Sequence, residues 1–149
     1  MKKLFIYYSL TGNGELIANT LRDYYVDVRR IEAKKSLPKF FPLRIFVGGY
    51  KAMKNHKDEL LPYDKDISQY DEIIIGSPIW NGRLACPINT LLSELDLTNK
   101  NITFIFYSGS GDSHEAQQTV KKMFEDVSII NMREPMKNKK ELEKLSRYE

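Results

Sequence analysis

The chain has 149 residues, 42% hydrophobic and 29% charged, a balance that excludes a disordered polymer and fits a single domain spanning 1–149. The net charge is +3, and a lone cysteine, Cys86, excludes an internal disulfide framework. No apolar run is long enough to cross a bilayer, and the short apolar start Leu4-Phe5-Ile6 has no small-residue cleavage site after it, so the expected location is the cytoplasm.

Lys3 to Tyr8 reads as a buried strand. It empties into Ser9-Leu10-Thr11-Gly12-Asn13-Gly14, and Glu15 to Tyr25 follows as an amphipathic helix with Ile17, Leu21 and Tyr24 on one face. Val26 to Ile31 reads as a second strand. A basic stretch comes next. From Arg29 to Lys57 there are nine lysines and arginines and one acid, Glu32, a local charge of +8 against −5 for the remainder. Such a segment suits an anionic partner or a phosphorylated ligand, or is a solvated face. Its aromatic residues Phe40, Phe41, Phe46 and Tyr50 are interrupted by Pro38 and Pro42, and no nucleic-acid motif is present. A helix is expected from about Leu43 to Asn55, bent or weakened by Gly48-Gly49, and Asp58 to Tyr70 is a polar connection.

Glu72 to Gly76 is a continuous apolar strand. Ile88, Leu91, Leu92 and Leu95 mark a helix face, and Ile102 to Tyr107 is a strand rich in aromatic and branched residues. Ala116, Val120, Met123 and Phe124 mark another helix. Val127 to Met132 is a weaker strand whose Ser128 and Asn131 suggest a sheet edge, and Asn138 caps a last helix through Tyr148. Five alternations of strand and helix predict an α/β fold, a doubly wound five-stranded parallel sheet in the order 2-1-3-4-5. In such a sheet ligands bind at the carboxyl edge near the switch point between strands 1 and 3. That rule selects the loops at 9–14, 77–83 and 108–113.

The first loop opens a helix N-terminus, which presents unpaired N–H groups and a partial positive charge to an anion. Ser9, Thr11 and Asn13 add side-chain donors, so the expected ligand is a phosphate. The loop lacks the Gly-Lys-Ser/Thr ending of an ATP-binding P-loop. Gly12-x-Gly14 with Glu32 twenty residues on falls short of a complete dinucleotide fingerprint, because Ile17 occupies the third glycine position. A plain polar turn before a capped helix is the bland alternative. The second loop, Ser77-Pro78-Ile79-Trp80-Asn81-Gly82-Arg83, holds the only tryptophan, a stacking surface at a ligand edge or a partly buried core residue. The third, Ser108-Gly109-Ser110-Gly111-Asp112-Ser113, offers backbone N–H groups and little bulk, which suits a flat ring, or else it is a turn in which Asp112 or Ser113 caps the next helix.

These three loops in register resemble the flavodoxin family, and the resemblance covers nearly the whole chain. Ser9-x-Thr11-Gly12-Asn13 is similar to a flavin phosphate loop. Gly76 to Gly82, followed by Pro87 and Ile88 to Leu92, resembles a branch in which a Pro-Ile-Trp-aromatic-Gly loop flanks the ring. Gly14 stands where a threonine is common, and Asn81 where a second aromatic is frequent. The resemblance implies FMN as cofactor. Ser9, Thr11, Gly12, Asn13 and Gly14 would hold its phosphate. Ser77, Pro78, Ile79, Trp80, Asn81 and Gly82 would flank the isoalloxazine on one side, and Ser108, Gly109, Gly111 and Asp112 on the other.

Related doubly wound chemistries fail on specific residues. A phospho-acceptor receiver needs aspartates where this chain has Tyr8-Ser9 and Gly76-Ser77, and a small tyrosine phosphatase needs an arginine where Leu92 stands, six residues after Cys86. Cys86 reads as a buried helix-start residue, and His56 and His114 as surface histidines without metal-ligand spacing. Neither a catalytic residue nor a metal site is expected. Two functions remain: electron transfer of the flavodoxin type to a redox partner protein, placed first, and an FMN-dependent NAD(P)H oxidoreductase acting on a quinone or similar small acceptor. The basic pI of about 8.8 and Arg83 in the ring loop favour the reductase. The shortness of the chain and the lack of a nicotinamide motif favour the carrier.

Overall fold

A computed structural model describes residues 1–39 and 41–149; Phe40, one of the aromatic residues of the basic segment, lies outside them. The first strand, β1 (Lys3–Tyr7), leads into helix α1 (Asn13–Asp23), then β2 (Asp27–Arg30) and α2 (Phe41–Met53). There follow β3 (Glu72–Trp80), the two-residue β4 (Arg83–Leu84), α3 (Cys86–Glu94), β5 (Asn101–Ser108), α4 (His114–Met123) and β6 (Ser128–Arg133). The last element, Lys139–Tyr148, is a 3-10 helix.

The sheet runs β2-β1-β3-β5-β6, all parallel, with β4 pairing antiparallel to the end of β3. It therefore has six strands where five are expected; with the short off-path β4 set aside, the five parallel strands keep the order 2-1-3-4-5. The extra strand arises because β3 does not stop at Gly76. It continues through Ser77 and Pro78, still paired with β5, and turns back at Asn81-Gly82. Both turn residues have positive φ, 51° and 78°. That is the requirement of the two-residue hairpin for which Asn-Gly is the preferred sequence.

Successive strand residues face opposite sides, so each strand feeds two cores. Leu4, Ile6, Ile73, Ile75, Phe104 and Phe106 meet Ile88 and Leu91 of α3 and Ala116 and Val120 of α4. Phe5, Tyr7, Ile74, Ile105 and Tyr107 meet Ile17, Ala18 and Leu21 of α1, and Leu145 and Tyr148 of the 3-10 helix. Each such Leu, Ile, Val or Phe side chain contributes about 1.5–3 kcal/mol on burial. Met123, expected on the inner face of its helix, is instead exposed, while Phe124 packs against the core. Ser128 and Asn131 lie in the edge strand β6. Asn138 makes no side-chain cap. At the amino edge of the sheet the buried Glu72 carboxylate accepts from Thr103 Oγ1 at 2.8 Å and from the Tyr148 hydroxyl at 2.9 Å, which pins the C-terminal helix.

Helix α2 is the crossover from β2 to β3, and to reach β3 it must pass over β1. It packs on β3, β4 and α3. The basic segment that contains it thus ends against the Trp80 hairpin, although its start after β2 suggests the far side of the sheet from the second loop.

Candidate functional site

The carboxyl ends of β1, β3 and β5 converge on a cavity of about 300 Å³. Leu10, Thr11 and Asn13 form its floor from the first loop, Pro78, Ile79, Trp80 and Asn81 one wall, and Tyr107, Ser108 and Gly109 the other. Leu37 with Arg44, Gly48 and Gly49 of α2 and Glu134 after β6 complete it.

In the first loop, Gly12 has φ 99° and breaks β1 into α1. The Ser9 hydroxyl accepts the Gly14 N–H at 3.0 Å inside the protein. Ser9 is therefore a brace for the loop, and the Gly14 N–H is already used. Among the described residues, the N–H groups of Leu10, Thr11, Gly12 and Asn13 and the Thr11 hydroxyl make no hydrogen bond. Gly12 and Asn13 supply orphan donors of the helix N-terminus, and Leu10 and Thr11 add two more from the partly exposed loop before it. Asn13 Oδ1 accepts the Met136 N–H at 3.0 Å, which ties the loop to the turn after β6. At Gly14 an added Cβ would lie 2.7 Å from Ser9 Cβ and 2.9 Å from both the Tyr107 hydroxyl and Tyr7 Cδ2. The threonine common there in the resembled family has no room, because Tyr107 reaches across to donate to the Tyr8 carbonyl. Burial raises the Tyr107 pKa well above the usual range, so the hydroxyl stays a donor.

In the second loop Ser77 Oγ accepts the Ala85 N–H at 3.2 Å and donates to the Pro78 carbonyl at 2.8 Å, holding the return of the hairpin. Trp80 meets Tyr8 edge-on, ring centroids 5.8 Å apart at 86°. The backbone of α2 lies against the indole: a Cβ on Gly48 would be 3.6 Å from Trp80 Cδ2, and one on Gly49 3.5 Å from Asn81 Cβ. Gly82 sits in the hairpin turn and does not line the cavity. Arg83 does not line it either. Its guanidinium pairs with Glu115 of α4 at 2.9 Å, so it cannot supply the cation beside the ring that favoured the reductase in the sequence.

In the third loop Ser108 and Gly109 line the cavity. Gly111 and Asp112 do not: the Gly111 N–H donates to Ser108 Oγ at 2.9 Å, and the Asp112 carboxylate accepts the His114 N–H at 3.1 Å, the helix-capping role. Cys86 is buried at the start of α3, its thiol pushed up to about 11 by burial and by nearby Asp58. Sequence reasoning missed Leu10, Leu37, Arg44, Gly48, Gly49, Tyr107 and Glu134. The paired glycines inside a helical stretch carried the available signal, since glycine in a helix marks a close approach. Among the described residues no cluster of three or more metal-ligating side chains is present, and no helix is long and apolar enough to cross a membrane.

Orphan N–H donors, a glycine cradle and a cavity walled by Trp80, Pro78 and Ile79 fit the phosphate and flat ring of a flavin nucleotide. The fold is that of flavoproteins. A Bacteroides uniformis protein assigned as a flavoprotein is 20% identical over 89% of this chain and 91% of its own, with a TM-score of 0.75. A Lactobacillus acidophilus flavoprotein solved in complex with FMN is 22% identical over 93% and 97%, with a TM-score of 0.71. Flavodoxin 2 from Bacillus cereus is 18% identical over 99% and 94%, with a TM-score of 0.55. A search of curated proteins finds no match. The family model for NADPH-dependent FMN reductase matches residues 1–139, and the chain belongs to this FMN-binding family.

Proposed function

We propose that the chain binds one FMN in the cavity and uses it to pass electrons from a reduced nicotinamide to an acceptor. The observation that carries the reading is the loop at 9–14, which holds unpaired N–H donors and whose Leu10, Thr11 and Asn13 line the tryptophan-walled cavity. Thr11, Gly12 and Asn13 hold the phosphate, with Ser9 and Gly14 shaping the loop. Pro78, Ile79, Trp80 and Asn81 flank the ring on one side, and Ser108 and Gly109 on the other. Bound FMN supplies reversible electron chemistry, while the protein supplies position, shielding and electrostatics. Family membership supports a nicotinamide donor, and on this reading the acceptor is a quinone or similar small molecule.

A specific observation favours the carrier reading as well. The cavity of about 300 Å³ lies at the lower end of the range that encloses one drug-sized ligand. A cavity of that size, with α2 seated on Trp80, suits one flavin; on the carrier reading the acceptor is a redox partner protein. Anaerobic addition of NADPH to the FMN-loaded protein separates the two. Rapid bleaching of the flavin band supports the reductase. A stable band that bleaches only with dithionite or light supports the carrier. Thr11→Ala removes the one unpartnered hydroxyl of the loop, a bond to a charged group worth about 1.5–3 kcal/mol, so FMN affinity should fall at least tenfold. Unchanged affinity in the folded variant would put the phosphate elsewhere.

A further inference from the structure

The register of β2 places Arg30 opposite Tyr7, the last residue of β1, and therefore beside the loop that follows. The guanidinium reaches three ways. Nη1 pairs with the Glu15 carboxylate in the first turn of α1, Nη2 donates to the Ser9 carbonyl at 3.1 Å, and Nε lies 3.7 Å from Glu32 Oε1. Glu15 is the one acid in the first turn of α1. A carboxylate there suits the helix dipole and repels an incoming anion. An exposed ion pair alone would matter little, but this one is also bonded to the backbone of the loop.

We propose that Arg30 is a positioning residue that makes the 9–14 loop selective for a phosphate monoester, by cancelling the Glu15 charge and fixing the Ser9 carbonyl away from the anion. The proposal rests on the reading that FMN occupies the cavity. Burial alone would raise the Glu15 pKa, yet the neighbouring Tyr7 hydroxyl and Arg30 hold it below the usual carboxylate range. Burial would lower that of Arg30, and Glu15 holds it raised. The pair is thus mutually favoured in its charged form. Without the guanidinium, Glu15 would face the phosphate uncompensated.

The test is titration of the apoprotein with FMN and, separately, riboflavin, followed by flavin fluorescence. The variants are Arg30→Met, Arg30→Lys, Glu15→Gln and the double variant Glu15→Gln/Arg30→Met. Arg30→Met should weaken FMN at least tenfold and leave riboflavin within about twofold. Arg30→Lys keeps the charge and loses the planar fork, so it should fall between wild type and Arg30→Met. The double variant should recover most of the FMN affinity, because the uncompensated carboxylate is gone; a mere loss of loop structure would not be rescued in this way. Equal loss for FMN and riboflavin in Arg30→Met would make Arg30 a general brace and overturn the proposal, as would unchanged FMN affinity in Arg30→Met and Arg30→Lys. A wild-type protein that binds FMN no better than riboflavin would overturn the phosphate reading itself, which the variants leave separately visible.

Discussion

Gly14 shows how narrowly one residue can be specified. Its N–H is taken by Ser9 Oγ, and its missing side chain makes way for the Tyr107 hydroxyl. A Cβ there would displace a buried tyrosine that is itself bonded to the Tyr8 carbonyl. Overpacking of this kind costs about 1–3 kcal/mol. With a shift of about 2–4 °C per kcal/mol for a chain of this size, Gly14→Ala should melt roughly 2–12 °C lower by calorimetry. An unchanged melting temperature would mean that Tyr107 moves aside freely. The role of Gly14 could not be read from the sequence, where it stands only as a departure from a common threonine. The partner that excludes the side chain comes from β5, far along the chain. Ser9, Ser77 and Ser108 make the same point: the sequence offers them as cofactor-contacting residues, and the fold uses their hydroxyls to tie their own loops.

At the level of elements, the strands and helices of this chain are written locally, in apolar runs, helical spacing and loop glycines. The hairpin after β3 was also legible, because Asn81-Gly82 is the strongest short-range hairpin signal, but the loop that contains it hides the signal among ligand-type residues. The placement of α2 was not legible. Its composition describes a basic, partly apolar helix, and only the crossover from β2 to β3 carries it onto Trp80. The hairpin yields a direct prediction. Gly82 has φ 78°, and a side chain in that region costs about 1–2 kcal/mol. Gly82→Ala should lower the urea midpoint by that stability and weaken FMN binding, because Trp80 and Asn81 are carried on the same turn. A stability loss with flavin affinity intact would separate the hairpin from the cofactor.

For the molecule as a whole, the sequence overstates the basic face. Arg29, Arg30, Lys34 and Lys51 pair with Asp64, Glu15, Glu59 and Asp58, all acids from outside the segment. Among the described residues, Lys35, Lys39, Lys54 and Lys57 form no ion pair, and they are exposed. If an acidic protein accepts the electrons, transfer from the reduced protein should slow several-fold from low to physiological salt, where charges are screened over about 8 Å. Lys35→Glu with Lys39→Glu and Lys54→Glu should flatten that dependence in stopped-flow measurements. A rate indifferent to salt would make these lysines a solvated face. Alkaline stability follows from buried hydroxyl and thiol groups. Burial, helped by Asp58, pushes Tyr8 up to about 12 and Cys86 up to about 11, from 10.0 and 9.0. Both are neutral in the native state, so their stabilisation is whole below pH 9 and is lost as pH rises through 11 to 12. The denaturant midpoint should therefore be level near neutrality and fall steeply above pH 9–10. A flat profile to pH 12 would mean that these groups titrate alike in the folded and unfolded states.

Trp80 lies against the backbone of α2 and also lines the cavity, and it is the only indole in the chain. The protein thus carries a single built-in optical reporter facing two surfaces, and the two surfaces act on different properties of its emission. Flavin in the cavity should quench its intensity by energy transfer at nearly constant wavelength. Departure of α2 would wet the other side and shift the band to the red with no flavin present. On slow warming of the apoprotein, a red shift that precedes the loss of far-ultraviolet circular dichroism would mark α2 as a separately melting unit. Coincident curves would place the helix inside the same cooperative transition as the sheet.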